Sequence, residues 1–257
     1  MSASTDKPAD AAGTTHFGYR EVPVAEKQKL VGEVFSSVAR NYDLMNDLMS
    51  LGVHRVWKRY FVATAQVGKG DRVLDLAGGT GDIAALLKDR VGDSGELVLG
   101  DINGDMLRVG RDRMVDRGNV RGFEYVQCNA QALPFPDGSF DLVTIAFGLR
   151  NVTDKDAALR EMRRVLKVGG QARVLEFSRV TADWFKPIYD FHSFQVLPRL
   201  GRLFAHDADS YQYLAESIRQ HPPQDELKSM MEAAGFDRCG YRNLSGGIVA
   251  IHDGYRT

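Results

Sequence analysis

Cysteine is scarce: Cys128 and Cys239 are the only two in 257 residues. They lie far apart and form neither a CxxC pair nor a metal-ligand spacing, which excludes a disulfide framework. Both read as small buried hydrophobes in a reducing cytosol. No stretch approaches the roughly 20 apolar residues needed to cross a bilayer, so membrane contact is expected to be peripheral at most. Neither sign of charge dominates, since 33 Lys and Arg against 34 Asp and Glu leave a net charge of -1. No electrostatic footprint for nucleic acid is present. Histidines and carboxylates do not cluster with ligand spacing, so no metal is expected. Residues 1–15 lack the basic start and apolar run of a signal peptide and, being rich in Ser, Ala, Thr, Asp and Gly, read as a disordered tail.

What is present is an ordinary soluble globular composition, 44% hydrophobic and 26% charged. A single domain of this size buries roughly three quarters of its unfolded surface, enough for a core without staples. Residues 16–257 are expected to form that domain. Helical periodicity from about Glu26 to Tyr60 (Leu30, Val31, Val34, Phe35, Val38), broken near Ser50 to Val53, suggests a helical cap over 16–66. From 67 onward short apolar runs alternate with amphipathic segments. Val73 to Ala77, Leu97 to Leu99, Phe123 to Gln127, Asp141 to Phe147 and Ala172 to Phe177 read as strands, with helices through Ile83 to Leu87 and Met106 to Met114. That order means βαβ units and a parallel sheet. The helix before the last strand starts at Thr153-Asp-Lys-Asp156, a capping-box spacing. Asp237 to Asn243 and Ile248 to His252, joined by Leu244-Ser-Gly-Gly247, read as an antiparallel hairpin closing one sheet edge.

The central motif is Asp75-Leu-Ala-Gly78-Gly79-Thr80-Gly81-Asp82, a glycine turn between a predicted strand and helix. Such turns let a nucleotide-like ligand approach the backbone. With Asp101 about twenty residues on, the spacing also satisfies the dinucleotide fingerprint, so by itself it does not separate a nicotinamide cofactor from S-adenosyl-L-methionine. The charges favour the latter. A pyrophosphate would sit at the helix N-terminus beside Asp82, and like charges at about 4 Å repel by roughly 4 kcal/mol at an effective dielectric near 20. S-adenosyl-L-methionine carries an ammonium and a sulfonium, which suit Asp75 and Asp82; alternatively both only cap local turns. Asp101 would accept from two ribose hydroxyls. Asn129, at the end of the third strand, would read an adenine edge, or close a turn.

Together Asp75 to Asp82, Asp101-Ile-Asn103, Leu133 to Asp141 and Leu166-Lys-Val-Gly-Gly170 resemble the class I S-adenosylmethionine-dependent methyltransferases. Tyr42 to Ser50 with Gly52 to Lys58, and Phe147-Gly-Leu-Arg-Asn-Val-Thr-Asp154 with Val174-Leu-Glu-Phe-Ser178, resemble more narrowly the ubiquinone/menaquinone biosynthesis C-methyltransferases, from about His16 to the C-terminus. The resemblance implies a Rossmann-like α/β fold: a mostly parallel seven-stranded sheet with a C-terminal antiparallel hairpin. It implies methylation of demethylmenaquinol to menaquinol and of a 2-methoxy-6-polyprenyl-1,4-benzoquinol to its 3-methyl form. The polyprenylated quinol is then the partner, and a cytoplasmic location is expected, with room for association at the inner face of the membrane. By this likeness Thr80, Asp101, Asn129 and Ala130 would be cofactor contacts, beside Asp75, Gly79 and Gly81 of the glycine turn. Ala146 departs from it, standing where many relatives have a serine that touches the cofactor. Val168 stands where comparable turns often have proline.

Methyl transfer to a ring carbon needs that carbon aligned with the methyl and its neighbouring hydroxyl ionised. A free phenol titrates near 10, so the site must stabilise a phenolate or hold a base. Arg150 and Asn151, after the fourth strand, are candidates to stabilise an oxyanion and position a hydroxyl, and equally fit a structural loop arginine and turn asparagine. His54 is a candidate base by its ordinary titration range, although a lone histidine is more often structural; His192 is a further one. The aromatic-rich Trp184 to Phe204, within an insertion near 183–222, fits a wall for a polyprenyl tail, a membrane-interface segment or a helix packed over the sheet. The alternatives to this reading are a methyltransferase for another small molecule, a nicotinamide oxidoreductase and a non-catalytic scaffold.

Overall fold

The computed structural model describes residues 13–38, 47, 50, 52–181 and 208–257. A seven-stranded sheet is built from β3 (Arg72–Leu76), β4 (Glu96–Asp101), β5 (Phe123–Gln127), β6 (Phe140–Ala146), β7 (Leu166–Phe177), β8 (Asp237–Leu244) and β9 (Val249–Tyr255), in the order β5-β4-β3-β6-β7-β9-β8. All pairings from β5 to β7 are parallel, whereas β9 runs antiparallel to both β7 and β8. The expected hairpin is therefore present, with its outer strand β8 running in the same sense as the parallel set.

Helices α3 (Asp82–Val91), α4 (Gly104–Asp116), α5 (Lys155–Val165) and α7 (Gln224–Ala233) flank the sheet, together with α2 (His54–Ala63). Because both faces are covered, the strands read as unbroken apolar runs rather than alternating ones. Leu74, Leu76, Val143, Ile145 and Val174 pack with Leu159 and Met162 of α5 and Met231 of α7 on one face. Val73, Leu97, Leu142 and Leu175 pack with Trp57 and Phe61 of α2 and Leu87 of α3 on the other. Each such side chain contributes about 1.5–3 kcal/mol on full burial.

Several expectations require correction. Thr14 and Thr15 are not part of a tail: they belong to β1 (Thr14–Phe17), which pairs with β2 (Arg20–Pro23) in a small antiparallel hairpin. Residues 1–12 lie outside the described residues. The cap over 16–66 is accordingly not purely helical, and its two described helices diverge in role, with α2 built into the core and reaching the cleft described below through Lys58, and α1 (Val24–Val38) lying over that cleft. Helix α5 is capped one residue later than the capping-box spacing suggested, since Asp154, not Thr153, accepts from the Ala157 N–H at 2.8 Å. The Leu166 to Gly170 turn lies inside the span of β7. Phe140 pairs with Leu166 but Leu142 with Gln171, so the residues between form a bulge, with Gly169 at φ +88°. Of the insertion near 183–222, helix α6 (Ala208–Gln220) is described, while Trp184 to Phe204, His192 included, lies outside the described residues.

Candidate functional site

The strand order reverses between β3 and β6, and at that point a crevice opens beyond the carboxyl ends of the strands. An open cleft with a cavity volume of about 120 Å³ lies there, floored by Asp75 to Thr80, walled by Asp101, Met106, Asn129 and Ala146 to Gly148, and roofed by Gln28, Val31, Gly32 and Phe35 of α1.

The glycine loop has the form it does because two approaches are too close for a side chain. Gly81, the N-cap of α3, sits at φ +82°, a left-handed conformation that glycine adopts without steric cost. On the facing helix α4, a Cβ at Gly110 would stand 2.6 Å from the Gly79 carbonyl oxygen. Asp101 ties the loop down, accepting from the Gly79 N–H at 2.9 Å and from the Asn103 N–H at 2.8 Å. Two non-glycine residues of the lining, Ala77 (φ +48°) and Phe147 (φ +55°), hold left-handed backbone as well, the kind of local strain found at ligand-binding positions.

Electrostatics sort the candidates. Asp75 is wholly buried; its Oδ1 accepts from Thr144 Oγ1 at 2.7 Å and its Oδ2 has no hydrogen-bond partner among the described residues. Burial pushes its pKa up to about 7, and burial likewise raises Asp101 to about 6 against the pull of its backbone N–H donors. Both would be returned to the ionised form by a ligand that brings positive charge or hydroxyl donors. Asp82 behaves differently from the sequence expectation. Lys58 Nζ donates to its Oδ2 at 2.7 Å, and Arg113 lies 4.0 Å from Oδ1, so the charge is held below the usual carboxylate range and is already compensated. The repulsion of a pyrophosphate by Asp82 is thus weaker than that of a bare carboxylate, and the acidic character of the cleft rests on Asp75 and Asp101.

Asn129, Ala130 and Gln131 border the cleft, and Asn129 Oδ1 also closes an Asx turn by accepting from the Gln131 N–H at 3.0 Å. The turn reading of Asn129 is therefore met, at a position that also borders the cleft. Asn151 borders the cleft and its Oδ1 accepts from Tyr213 Oη at 2.9 Å. Arg150 does not line it. The buried guanidinium donates to the Phe147 carbonyl and, at 2.8 Å, to Glu176 Oε1, while Glu176 Oε2 accepts from the Arg150 backbone N–H at 3.2 Å. Engaged in this way and outside the lining, the guanidinium fixes the backbone that carries Phe147 and Asn151 rather than facing the cleft. His54 is also absent from the lining. Its Nδ1 lies 3.2 Å from Ser50 Oγ, and burial aided by the Lys58 charge lowers its pKa to about 4, which leaves it a weak base. Among the described residues no group of His, Cys, Asp and Glu could hold a metal ion.

The donor set fits one kind of ligand well. Asp75 offers an orphaned buried carboxylate oxygen to a cation, Asp101 retains lone pairs for hydroxyl donors, Met106 supplies an apolar wall, and the paired Lys58 borders the cleft. Sequence reasoning missed the α1 roof, Lys58 and Tyr213. The apolar stripe of α1 was visible, but nothing in it distinguishes packing on a core from roofing a cleft.

Comparison with known proteins agrees with this chemistry. The model of the ubiE/COQ5 methyltransferase family matches residues 23–256. A ubiquinone/menaquinone biosynthesis C-methyltransferase UbiE from Xanthomonas campestris pv. campestris is 80% identical over 245 residues, covering 95% of this chain and 97% of that relative. The protein of the same name from Xylella fastidiosa is 75% identical over 256 residues, with 100% of both chains covered. Among solved structures, a SAM-dependent methyltransferase from Aquifex aeolicus superposes with a TM-score of 0.58 at 18% identity, covering 86% of this chain and 96% of that one. The [4+2]-cyclase SpnF superposes with a TM-score of 0.64 at 15% identity, covering 90% and 96%. Likenesses at that level show the fold alone.

Proposed function

The chain belongs to the ubiE/COQ5 methyltransferase family and is an S-adenosylmethionine-dependent C-methyltransferase, and from that premise we propose that it methylates a quinol ring carbon in both the menaquinone and the ubiquinone series. The substrates on this reading are demethylmenaquinol and a 2-methoxy-6-polyprenyl-1,4-benzoquinol. The relatives' shared name, which joins the two quinones, supports it. The single observation in the molecule that carries the cofactor half is the unpartnered, buried Asp75 Oδ2 at the floor of the cleft.

When bound, S-adenosylmethionine supplies an electrophilic methyl group on a sulfonium. Asp75, with Gly79, Thr80 and Gly81, would hold its methionyl part; Asp101 would accept from the ribose hydroxyls; Asn129 and Ala130 would meet the adenine. Lys58, one charge of a pair with Asp82, is suited to the cofactor's carboxylate. Ala146 offers no hydroxyl, so its contact is packing or backbone only. On the transfer side Asn151, steadied by Tyr213, would orient a quinol hydroxyl, and Arg150 would act as a positioning residue through the Phe147 carbonyl and Glu176. The α1 roof would exclude water, and alignment of ring and methyl would supply much of the remaining rate. Peripheral contact with a membrane follows on this reading from the polyprenyl tail. No helix among the described residues is long and apolar enough to cross one.

Methyl transfer from labelled S-adenosylmethionine to each reduced quinol, with the new methyl located by NMR, tests the proposal. Carbon methylation of both rings is expected. Oxygen methylation, or no transfer to either quinol by protein that binds the cofactor, would overturn the substrate assignment.

A further inference from the structure

Near Asn151 the described residues place more buried positive charge than they compensate. Lys27 of α1 is buried, 5% exposed; it stands just outside the lining, next to Gln28 and one turn before Val31, both of which line the cleft. Lys155 is half-buried at the start of α5, its Nζ 3.4 Å from the carbonyl of Val152, itself a lining residue. Arg150 lies behind the same wall. Against these three cations stands, among the described residues, one buried carboxylate, Glu176, which the Arg150 side chain and backbone already occupy. Asp154 and Asp156 flank Lys155 from the exposed turn of α5. Nearby His221 is buried, and neither ring nitrogen has a hydrogen-bond partner; burial and the charges of Lys155 and Arg150 keep it neutral. Tyr213 likewise stays neutral, with burial pushing its pKa to about 12. Burial, with the Lys155 charge beside it, brings Lys27 down to about 8, and no carboxylate among the described residues offsets that.

A buried cation left without a counter-charge is costly, and where it persists beside a ligand cleft an incoming anion is the natural partner. Two anions come with the reaction: the cofactor's carboxylate and an ionised quinol oxygen. Helix α1 distinguishes them. Its Gly32 carbonyl and Ser36 hydroxyl lie on Asn103, next to Asp101, and Lys27 is five residues earlier, about 7.5 Å along the axis towards Asn151 and Lys155. The cofactor's carboxylate has Lys58 at the glycine loop. We propose that Lys27, seconded by Lys155, forms an anion site that binds the ionised hydroxyl oxygen of the quinol and so draws the ring into its nucleophilic phenolate form. The proposal rests on the quinol reading above. The proton leaves the hydroxyl for solvent or a base, the ring carbon then forms its bond to the methyl, the sulfonium keeps the electron pair of the broken bond, and the ring proton is lost afterwards; no oxidant is required.

The test uses 1-naphthol, whose neutral and ionised forms differ in absorbance, titrated on the full chain saturated with S-adenosylhomocysteine. Wild-type protein is expected to hold the bound naphthol ionised at lower pH than in free solution. Lys27→Met is expected to move that midpoint up by about one pH unit, a tenfold change in the ionisation constant. Lys27→Arg should restore most of the shift, Lys155→Met should lose a smaller part, and S-adenosylmethionine affinity by calorimetry should stay within about twofold throughout. Loss of an unpaired buried cation should not lower the melting temperature, and Lys155→Met stands as a second variant. Identical naphthol titrations for wild type and Lys27→Met would overturn the proposal. So would no naphthol binding at all, or a tenfold loss of S-adenosylmethionine affinity in Lys27→Met, which would assign the cation to the cofactor's carboxylate. Failure of the quinol reading would show separately, as absent carbon methylation by the wild-type protein.

Discussion

At the scale of single residues the decisive fact is that Asp75 and Asp101 are buried carboxylates with pKa values raised to about 7 and about 6. A raised carboxylate pKa means that the folded protein binds more protons than the unfolded chain between about pH 4 and pH 7. These two groups therefore make the free protein less stable as pH rises through that window, with the full loss present above the folded values. A bound cation at Asp75 and hydroxyl donors at Asp101 favour the charged forms, so cofactor binding is expected to expel protons between about pH 6 and pH 7, and affinity to weaken as pH falls through the same range. Calorimetric titration of S-adenosylmethionine in buffers of different ionisation enthalpy measures the protons released; Asp75→Asn should abolish most of the release near pH 7. Binding with no proton release at pH 6.5 would remove both carboxylates from the cofactor site. The sequence made Asp75 and Asp101 legible because a glycine turn after a strand fixes where such residues must stand. It could not show that Arg150 is taken up by Glu176, because that pair joins residues 26 positions apart, across two neighbouring strand ends. Asp82 misled for a similar reason, its partner Lys58 being 24 residues away on a helix that sequence patterning alone does not orient.

At the scale of elements, the parallel strands were readable from their apolar runs, and the helices between them from periodicity, because local patterning dictates both. The β1–β2 hairpin was not, since Thr14 to Phe17 has no clear alternation and lies beside a polar stretch that reads as tail. Helix α1 was recognised as a helix but not as a roof. It is fastened to the body by the Asn103 side chain, which donates to the Gly32 carbonyl at 3.1 Å and to Ser36 Oγ at 3.0 Å, and by Val31 packing near Tyr213 and Leu214. Asn103 Oδ1 simultaneously caps α4, accepting from the Asp105 and Met106 N–H groups. One side chain thus couples the roof to the helix that presses on the glycine loop. A helix at the edge of the fold opens more readily than a central strand. Amide exchange over residues 24–38 is expected to be faster than over β3 in the free protein and to slow by at least about tenfold with S-adenosylmethionine bound. Asn103→Ala should cost about 1 kcal/mol through the lost cap and leave α1 unprotected even with cofactor present. Equal protection of α1 in the free and bound protein would show that the helix is a fixed wall rather than a roof that closes.

At the scale of the whole molecule, a sheet reversing between β3 and β6 brings the glycine loop, Asp101 and Asn151 to one edge, although they are spread over some seventy-five residues of sequence. The same scaffold superposes on a cyclase as well as on methyltransferases, so the architecture selects the place of the site and not its reaction. The reaction comes from the family, and with it a physical difficulty. A polyprenyl tail partitions into bilayer, with each buried methylene contributing about 0.8 kcal/mol, so a long-tailed quinol presents its ring only at a lipid surface. No described helix crosses a membrane, and the net charge of -1 gives little attraction to anionic lipid. Contact with the bilayer should then be brief and governed by the substrate rather than by charge. The rate on a long-tailed quinol is expected to follow its mole fraction in phosphatidylcholine vesicles, to change by less than about twofold between low and high salt, and to gain little from added anionic lipid, while a short-tailed analogue is methylated without vesicles. A rate that tracked only the bulk quinol concentration, or that collapsed with salt, would mean that the ring is delivered by some route other than peripheral encounter with the lipid surface.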